Sequence, residues 1–210
     1  MSITGVESVI RFIGVLLGML TLAVALWQGV WRGLQRNTES SATQGSRLLR
    51  APYLLVFGLL WVGVCVILWH PLPVRLLPFT NWFFLFIGML FYVCGQAVYL
   101  WGAATLGGMY RPSSVLGGVR FVAGDRLITY GPFAYVRHPL YLGLQIAALG
   151  GLLIYRNWTF VFIAVNFMAL FFRARREEQA LAGRFGEEWE RYASQVPAWL
   201  PRFWHRVNER

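Results

Sequence analysis

Five stretches without a charged residue recur along the chain: Phe12–Trp31, Tyr53–Trp69, Trp82–Ala104, Leu140–Tyr155 and Trp158–Phe172. The first, "FIGVLLGMLTLAVALWQGVW", has the roughly 20 residues needed to cross a hydrocarbon core of about 30 Å. It is longer than the apolar core of a secretory signal and has no small-residue cleavage pattern behind it. The last two are about 15 residues each and short for independent spans. Only Arg156 and Asn157 part them, so they predict a tight helical hairpin. Trp31, Tyr53, Trp69, Trp82, Tyr155 and Trp158 stand at the ends of the runs, where amphipathic rings meet the membrane–water boundary. Two stretches do not span. Thr105–Arg137 is long and glycine-rich, a length that usually signals function or disorder. Arg173–Tyr192 predicts a helix, with Leu181, Phe185, Trp189 and Tyr192 on one stripe and Arg173–Glu177, Arg184–Glu188 and Glu187–Arg191 spaced for ion pairs. Residues 37–46, "NTESSATQGS", predict a polar linker.

Composition agrees with the pattern. The 210 residues are 57% hydrophobic and 13% charged, with a mean hydropathy of +0.52, against roughly 25% charged in soluble domains. The expected fold is all-α: a polytopic membrane protein of about five transmembrane helices with a C-terminal cytosolic amphipathic helix. It forms a single domain over residues 1–210, with three spans in 1–104 and a core in 105–210. All 19 basic residues are arginine, and the net charge is +10. Nucleic acid is rejected as a partner, because the arginines lie between apolar runs, where lipid headgroups are. Arg32, Arg36, Arg47 and Arg50 follow the first run, and Arg111, Arg120, Arg126 and Arg137 follow the third. The connections after the second and fourth runs carry only Arg75 and Arg156. The positive-inside rule then places the C-terminus in the cytosol and the N-terminus on the far side. Cys65 and Cys94 lie inside apolar runs and read as small apolar residues. No metal-ligand spacing and no GxGxxG turn occurs, so neither a metal nor a dinucleotide fold is expected.

Two charged clusters remain. Arg137 and His138 precede Pro139 at the mouth of the fourth run; taken alone, they suit snorkelling at the interface and a proline in the first turn of a helix. Glu177 and Glu178 follow the fifth run beside Arg173, Arg175 and Arg176; taken alone, they suit a solvated, ion-paired helix face. The hairpin between the clusters returns both to one membrane face. Together they can grip a zwitterion, arginine holding a carboxylate and glutamate an ammonium.

The segments "RLITYGPFAYVRHPLYLG" and "FRARREEQALAGRFGEEWERYASQVPAWLP" resemble the isoprenylcysteine carboxyl methyltransferase family and its phospholipid methyltransferase relatives. The shared pieces are Gly131-Pro132, Arg137-His138-Pro139, Tyr141, Gly143, Glu177-Glu178, Leu181, Phe185-Gly186, Tyr192 and Pro201, all within the C-terminal half. The resemblance implies S-adenosylmethionine as methyl donor. It implies a cofactor site of Leu127, Ile128, Phe133, His138, Pro139, Leu140, Tyr141 and Glu177, and a substrate carboxylate held by Arg173. Arg137, Arg173, Glu177 and Glu178 are the implied catalytic set. Phe133 stands where members often carry tyrosine, and Asp125 where some carry histidine. The implied acceptor is a lipophilic or lipidated carboxylate, with a phosphatidylethanolamine-type amine as the alternative; the same motifs serve both. A membrane reductase and a non-catalytic membrane module are the further classes, and the chain is short for the first. The expected location is the membrane, multi-pass, with the site facing the cytosol.

Overall fold

The computed structural model describes residues 3–26, 50–74, 77–107, 122–123 and 126–201. Among the described residues six helices carry the fold: α1 (Ile3–Leu26), α2 (Arg50–Ile67), α3 (Pro78–Leu106), α4 (Pro139–Tyr155), α5 (Trp158–Phe185) and α6 (Glu187–Gln195). A two-residue antiparallel ribbon pairs β1 (Val122–Ala123) with β2 (Arg126–Leu127), and a 3-10 turn spans Gly131–Ala134. About half of the Thr105–Arg137 loop (108–121 and 124–125, Asp125 included) and the linker at 37–46 lie outside the described residues.

Helices α3 and α4 form the central pair. Gly88 and Gly95 on α3 face Gly143 and Gly150 on α4, each two glycines seven residues apart, or about two helical turns. A Cβ at Gly143 would stand 2.6 Å from the Tyr99 nitrogen and 2.7 Å from the Gly95 carbonyl oxygen. A Cβ at Gly150 would lie 2.6 Å from the carbonyl of Gly88. Backbone therefore rests on backbone. Such small-residue seams gain van der Waals contact where lipid removes the hydrophobic drive between helices.

The exterior has the opposite character. Phe79 (84% exposed), Phe86 (71%) and Phe172 (69%) point outward, along with many aliphatic residues of α1, α2, α3 and α5. An apolar surface this continuous is unlike that of a soluble monomer. Phe79–Leu106 and Trp158–Phe185 are long and apolar enough to cross a membrane, while Gly58–Ile67 and Pro139–Tyr155 are shorter apolar helices.

The hairpin turn forms as its sequence implies. Arg156 closes α4 in the left-handed region (φ 48, ψ 50), which costs a non-glycine residue roughly 1–2 kcal/mol. Its side chain compensates by pairing with Glu7 (3.0 Å) and bonding to Asn81. Asn157 then caps α5, its Oδ1 accepting from the Phe160 N–H at 3.1 Å. Thr159 donates to the Cys65 carbonyl at 2.7 Å, tying α5 to the end of α2.

Two helices outrun their apolar runs, and one expectation is corrected. Helix α1 begins nine residues before the first apolar run and includes Glu7 and Arg11, because that ion pair (2.6 Å) and the bond to Arg156 neutralise its first turns. The helix that holds the fifth run does not stop with it: α5 continues unbroken from Phe172 to Phe185, so the charged segment extends the apolar helix. The expected single helix through Tyr192 breaks at Gly186 (φ 51), so Arg184 and Glu188 no longer share one helix. The stripe survives the break by folding on itself: Leu181, Trp189, Tyr192 and Val196 form one buried cluster with Phe185 and Leu127.

The α3–α4 seam sets a sharp contrast. Gly143→Ala should lower stability by about 1–3 kcal/mol through overpacking. Gly58→Ala, with nothing within 4 Å of the added carbon, should be neutral or slightly stabilising. Thermal unfolding of the two variants in detergent checks this.

Candidate functional site

The site lies where the first turn of α4 meets the charged extension of α5. Adjacent residues on a helix point about 100° apart. Glu177 and Glu178 therefore reach two different sets of partners.

Glu177 faces Tyr141, the third residue of α4. The Tyr141 hydroxyl donates to Glu177 Oε1 at 2.6 Å, and Arg173 Nε donates to the same oxygen at 2.9 Å and to the Tyr141 hydroxyl at 2.7 Å. Three polar groups thus close a triangle across α4 and α5. Glu177 is only 3% exposed, and its Oε2 is buried without a hydrogen-bond partner. Leaving a buried carboxylate oxygen unsatisfied costs about 1–3 kcal/mol. Such an atom calls for a partner, a ligand or an ordered water.

Glu178 faces the turn before α4. Its Oε1 lies 3.0 Å from His138 Nε2 and 3.2 Å from Arg137 Nη1. A carboxylate only accepts, so the proton of that hydrogen bond sits on Nε2. Glu178 stands on the polar extension beyond the apolar part of α5. Burial pushes its pKa up, but the hydrogen bond from His138 and the charge of Arg137 outweigh burial and hold the carboxyl below its usual range. Glu178 also meets the turn at the positive, N-terminal end of α4.

The C-terminal tail covers this turn. The Arg137 N–H donates to the Pro197 carbonyl at 2.9 Å and the His138 N–H to that of Ala198 at 3.2 Å. Trp199 packs against His138 (5.4 Å) and Phe171 (4.2 Å), and Tyr141 stacks with the imidazole at 5.7 Å, 8° from parallel. The Arg137 guanidinium lies over the Trp189 ring at 5.6 Å, a contact worth about 1 kcal/mol or more when partly desolvated. Tyr192 donates from its hydroxyl to the Phe133 carbonyl at 2.7 Å, and burial pushes its phenol pKa up, so it stays a donor.

The expected residues divide between two places. Arg137, His138, Tyr141, Arg173, Glu177 and Glu178 form the polar cluster. Ile128, Phe133 and Leu140 pack into the core beneath it with Tyr99, Ala103 and Leu106, and Pro139 is fully buried under His138. Leu127 packs with the tail cluster around Trp189. Gly131 (φ 63) lets the supporting 3-10 turn approach Thr105, which a Cβ would meet at 2.8 Å. Sequence reasoning placed Trp189 on a stripe and overlooked Trp199. Its signal was the "VPAWLP" tail: Pro197 offers a carbonyl and no N–H, which suits it to accept from the Arg137 turn.

Comparison with known proteins shows what the chain is similar to. The sequence model of the isoprenylcysteine carboxyl methyltransferase family matches residues 86–183, from α3 to the charged end of α5. The resemblance seen in the motifs is thereby borne out for that segment. Protein-S-isoprenylcysteine O-methyltransferase of Schizosaccharomyces pombe is 39% identical over 77 residues, 36% of this chain and 33% of the relative. Probable protein-S-isoprenylcysteine O-methyltransferases of Oryza sativa subsp. indica and subsp. japonica are each 30% identical over 122 residues, 57% of this chain and 62% of theirs. The chain thus spans a third to about three-fifths of the length of these curated relatives.

The depressed Glu178 pKa fixes a sign. The stability it contributes is fully present above the ordinary carboxylate value of about 4.3 and is lost as pH falls through the lowered one. Glu178→Gln should therefore flatten the fall of the thermal midpoint between about pH 5 and pH 3, as read by unfolding in buffers across that range.

Proposed function

We propose that the protein is a membrane methyltransferase that transfers a methyl group from S-adenosylmethionine to the carboxylate of a lipophilic, isoprenylcysteine-like acceptor. The observation that carries the reading is the buried, unpartnered Oε2 of Glu177 within the triangle it forms with Arg173 and Tyr141. The family match over residues 86–183 and the names of the relatives support it.

The residues present fit this donor. Glu177 would accept from its ammonium through Oε2, while the stacked faces of His138 and Tyr141 offer π surface to a cation, worth about 1–2 kcal/mol when desolvated. When bound, S-adenosylmethionine supplies an electrophilic methyl group on its sulfonium. The chain's own part is to bind, align and exclude water. Arg173 has its Nε fixed by two hydrogen bonds, so its guanidinium is pre-oriented to hold a carboxylate. A carboxylate attacks without losing a proton, and the reading therefore needs no general base. Glu178 holds His138 and Arg137 in place from the side. Trp199, resting on Phe171 of the apolar helix and on His138, would separate the polar pocket from the route by which a greasy acceptor arrives.

The same reading includes five spans with the site on the cytosolic face. Its support is geometric: Arg156 meets Glu7 at one end of α4, and Arg137 and His138 meet Glu178 at the other. The 17 residues of α4 hold the two ends about 25 Å apart.

Calorimetry on purified protein in detergent tests the donor. Both S-adenosylmethionine and S-adenosylhomocysteine should bind. Glu177→Gln should weaken both by about 10- to 100-fold, the loss of one buried charge-assisted bond, while helicity is retained. Unchanged affinity in a folded variant would contradict the assignment. With labelled donor and an S-farnesylated N-acetylcysteine, the product should be a methyl ester labile to mild base. A base-stable labelled phospholipid would instead establish the amine acceptor.

A further inference from the structure

At the opposite end of the bundle, an open groove of about 440 Å³ lies between α1 and the turns that join α2 to α3 and α4 to α5, lined by Arg11, Phe12, Val15, Trp69, Tyr155 and Asn157. Among the described residues its lining contains no carboxylate. Its donors are the Arg11 guanidinium, the Asn157 amide and the Trp69 indole N–H. Arg11 pairs with Glu7 through Nη2 at 2.6 Å, but its Nε has no hydrogen-bond partner. Glu7 is shared, since Arg156 binds the same Oε1 at 3.0 Å. Among the described residues here, two guanidiniums against one carboxylate leave one net positive charge. The groove is thus a donor-rich, cationic mouth.

Its other face is apolar. Phe12 is 64% exposed and Val15 42%. They stand one turn apart at most, on the α1 surface that continues toward the middle of the helix. Trp69 packs against Tyr155 with ring centroids 5.9 Å apart, the pairing of amphipathic rings expected at headgroup level. A free anion would use the mouth and leave the apolar strip bare. A hydrocarbon would cover the strip and leave the cation unmet. An amphiphile with a phosphate satisfies both.

We propose that this groove binds a membrane phospholipid, the headgroup phosphate on Arg11 and one tail along Phe12 and Val15. The site is separate from the Glu177 cluster and would hold the end of α1 against the α4–α5 turn. The proposal rests on the membrane reading of the chain but not on methyl transfer, so failure of one leaves the other standing.

Thermal unfolding of the full chain in detergent, titrated with short-chain phosphatidylglycerol, tests it. The midpoint should rise saturably with phosphatidylglycerol, and neither diacylglycerol of the same tails nor inorganic phosphate should reproduce the rise. Arg11→Gln should weaken the apparent affinity about tenfold, the effect of one charge-assisted bond. Val15→Trp, which fills the groove from an exposed position and leaves the Glu7–Arg11 pair intact, should abolish the response; it decides the matter if Arg11→Gln does not fold. An undiminished response in Val15→Trp would overturn the proposal. So would an equal response to diacylglycerol, which marks an apolar crevice, or to phosphate, which marks a free-anion site.

Discussion

The hydrogen-bonded triangle of Tyr141, Arg173 and Glu177 is the constraint on which the site depends. It joins the first turn of α4 to α5 at the level where the apolar helix becomes a charged one. Without it, the extension beyond Phe172 would be a surface helix with ion pairs of little energetic consequence. With it, Glu177 is drawn out of water and left with one oxygen satisfied and the other not. Glu178, one residue on and turned the other way, fastens the same extension to Arg137 and His138.

Everything around the triangle serves to hold its two halves at a fixed separation. The α3–α4 glycine seam sets the position of the α4 N-terminus, and the Arg156–Asn157 turn sets how α5 returns. The core of Tyr99, Leu106, Phe133 and Leu140 supports the turn from below, and the tail at Pro197–Trp199 clamps it from the side. Among the described residues, the polar network is built on helix ends and packed turns, Arg137 closing the long loop where it meets α4. A preorganised arrangement of this kind suits group transfer by alignment, where a small misplacement of the reacting atoms is costly.

Much of this was legible in the sequence because it follows from periodicity and charge. The apolar runs located the helices, and the two-residue break at Arg156 fixed the hairpin. The hairpin in turn required the Arg137–His138 and Glu177–Glu178 clusters to meet. What was not legible depends on long-range contact. The early start of α1 needs Arg156, which is remote in sequence, to donate to Glu7. The break at Gly186 follows from a left-handed residue that helical spacing does not register. The place of Trp199 rests on carbonyls of the tail pairing with the N–H groups of Arg137 and His138. Several apolar residues expected at the cofactor, Ile128, Phe133 and Leu140 among them, are the floor of the site. Their pattern could not separate floor from wall, since both are apolar.

An experimental structure of the protein with S-adenosylhomocysteine bound tests the central claim most directly. The account predicts a ligand that touches both ends of the hairpin, with its amino group on Glu177 and its body against the His138–Tyr141 turn. A ligand lodged elsewhere, or one touching the α5 extension without the turn before α4, would contradict it.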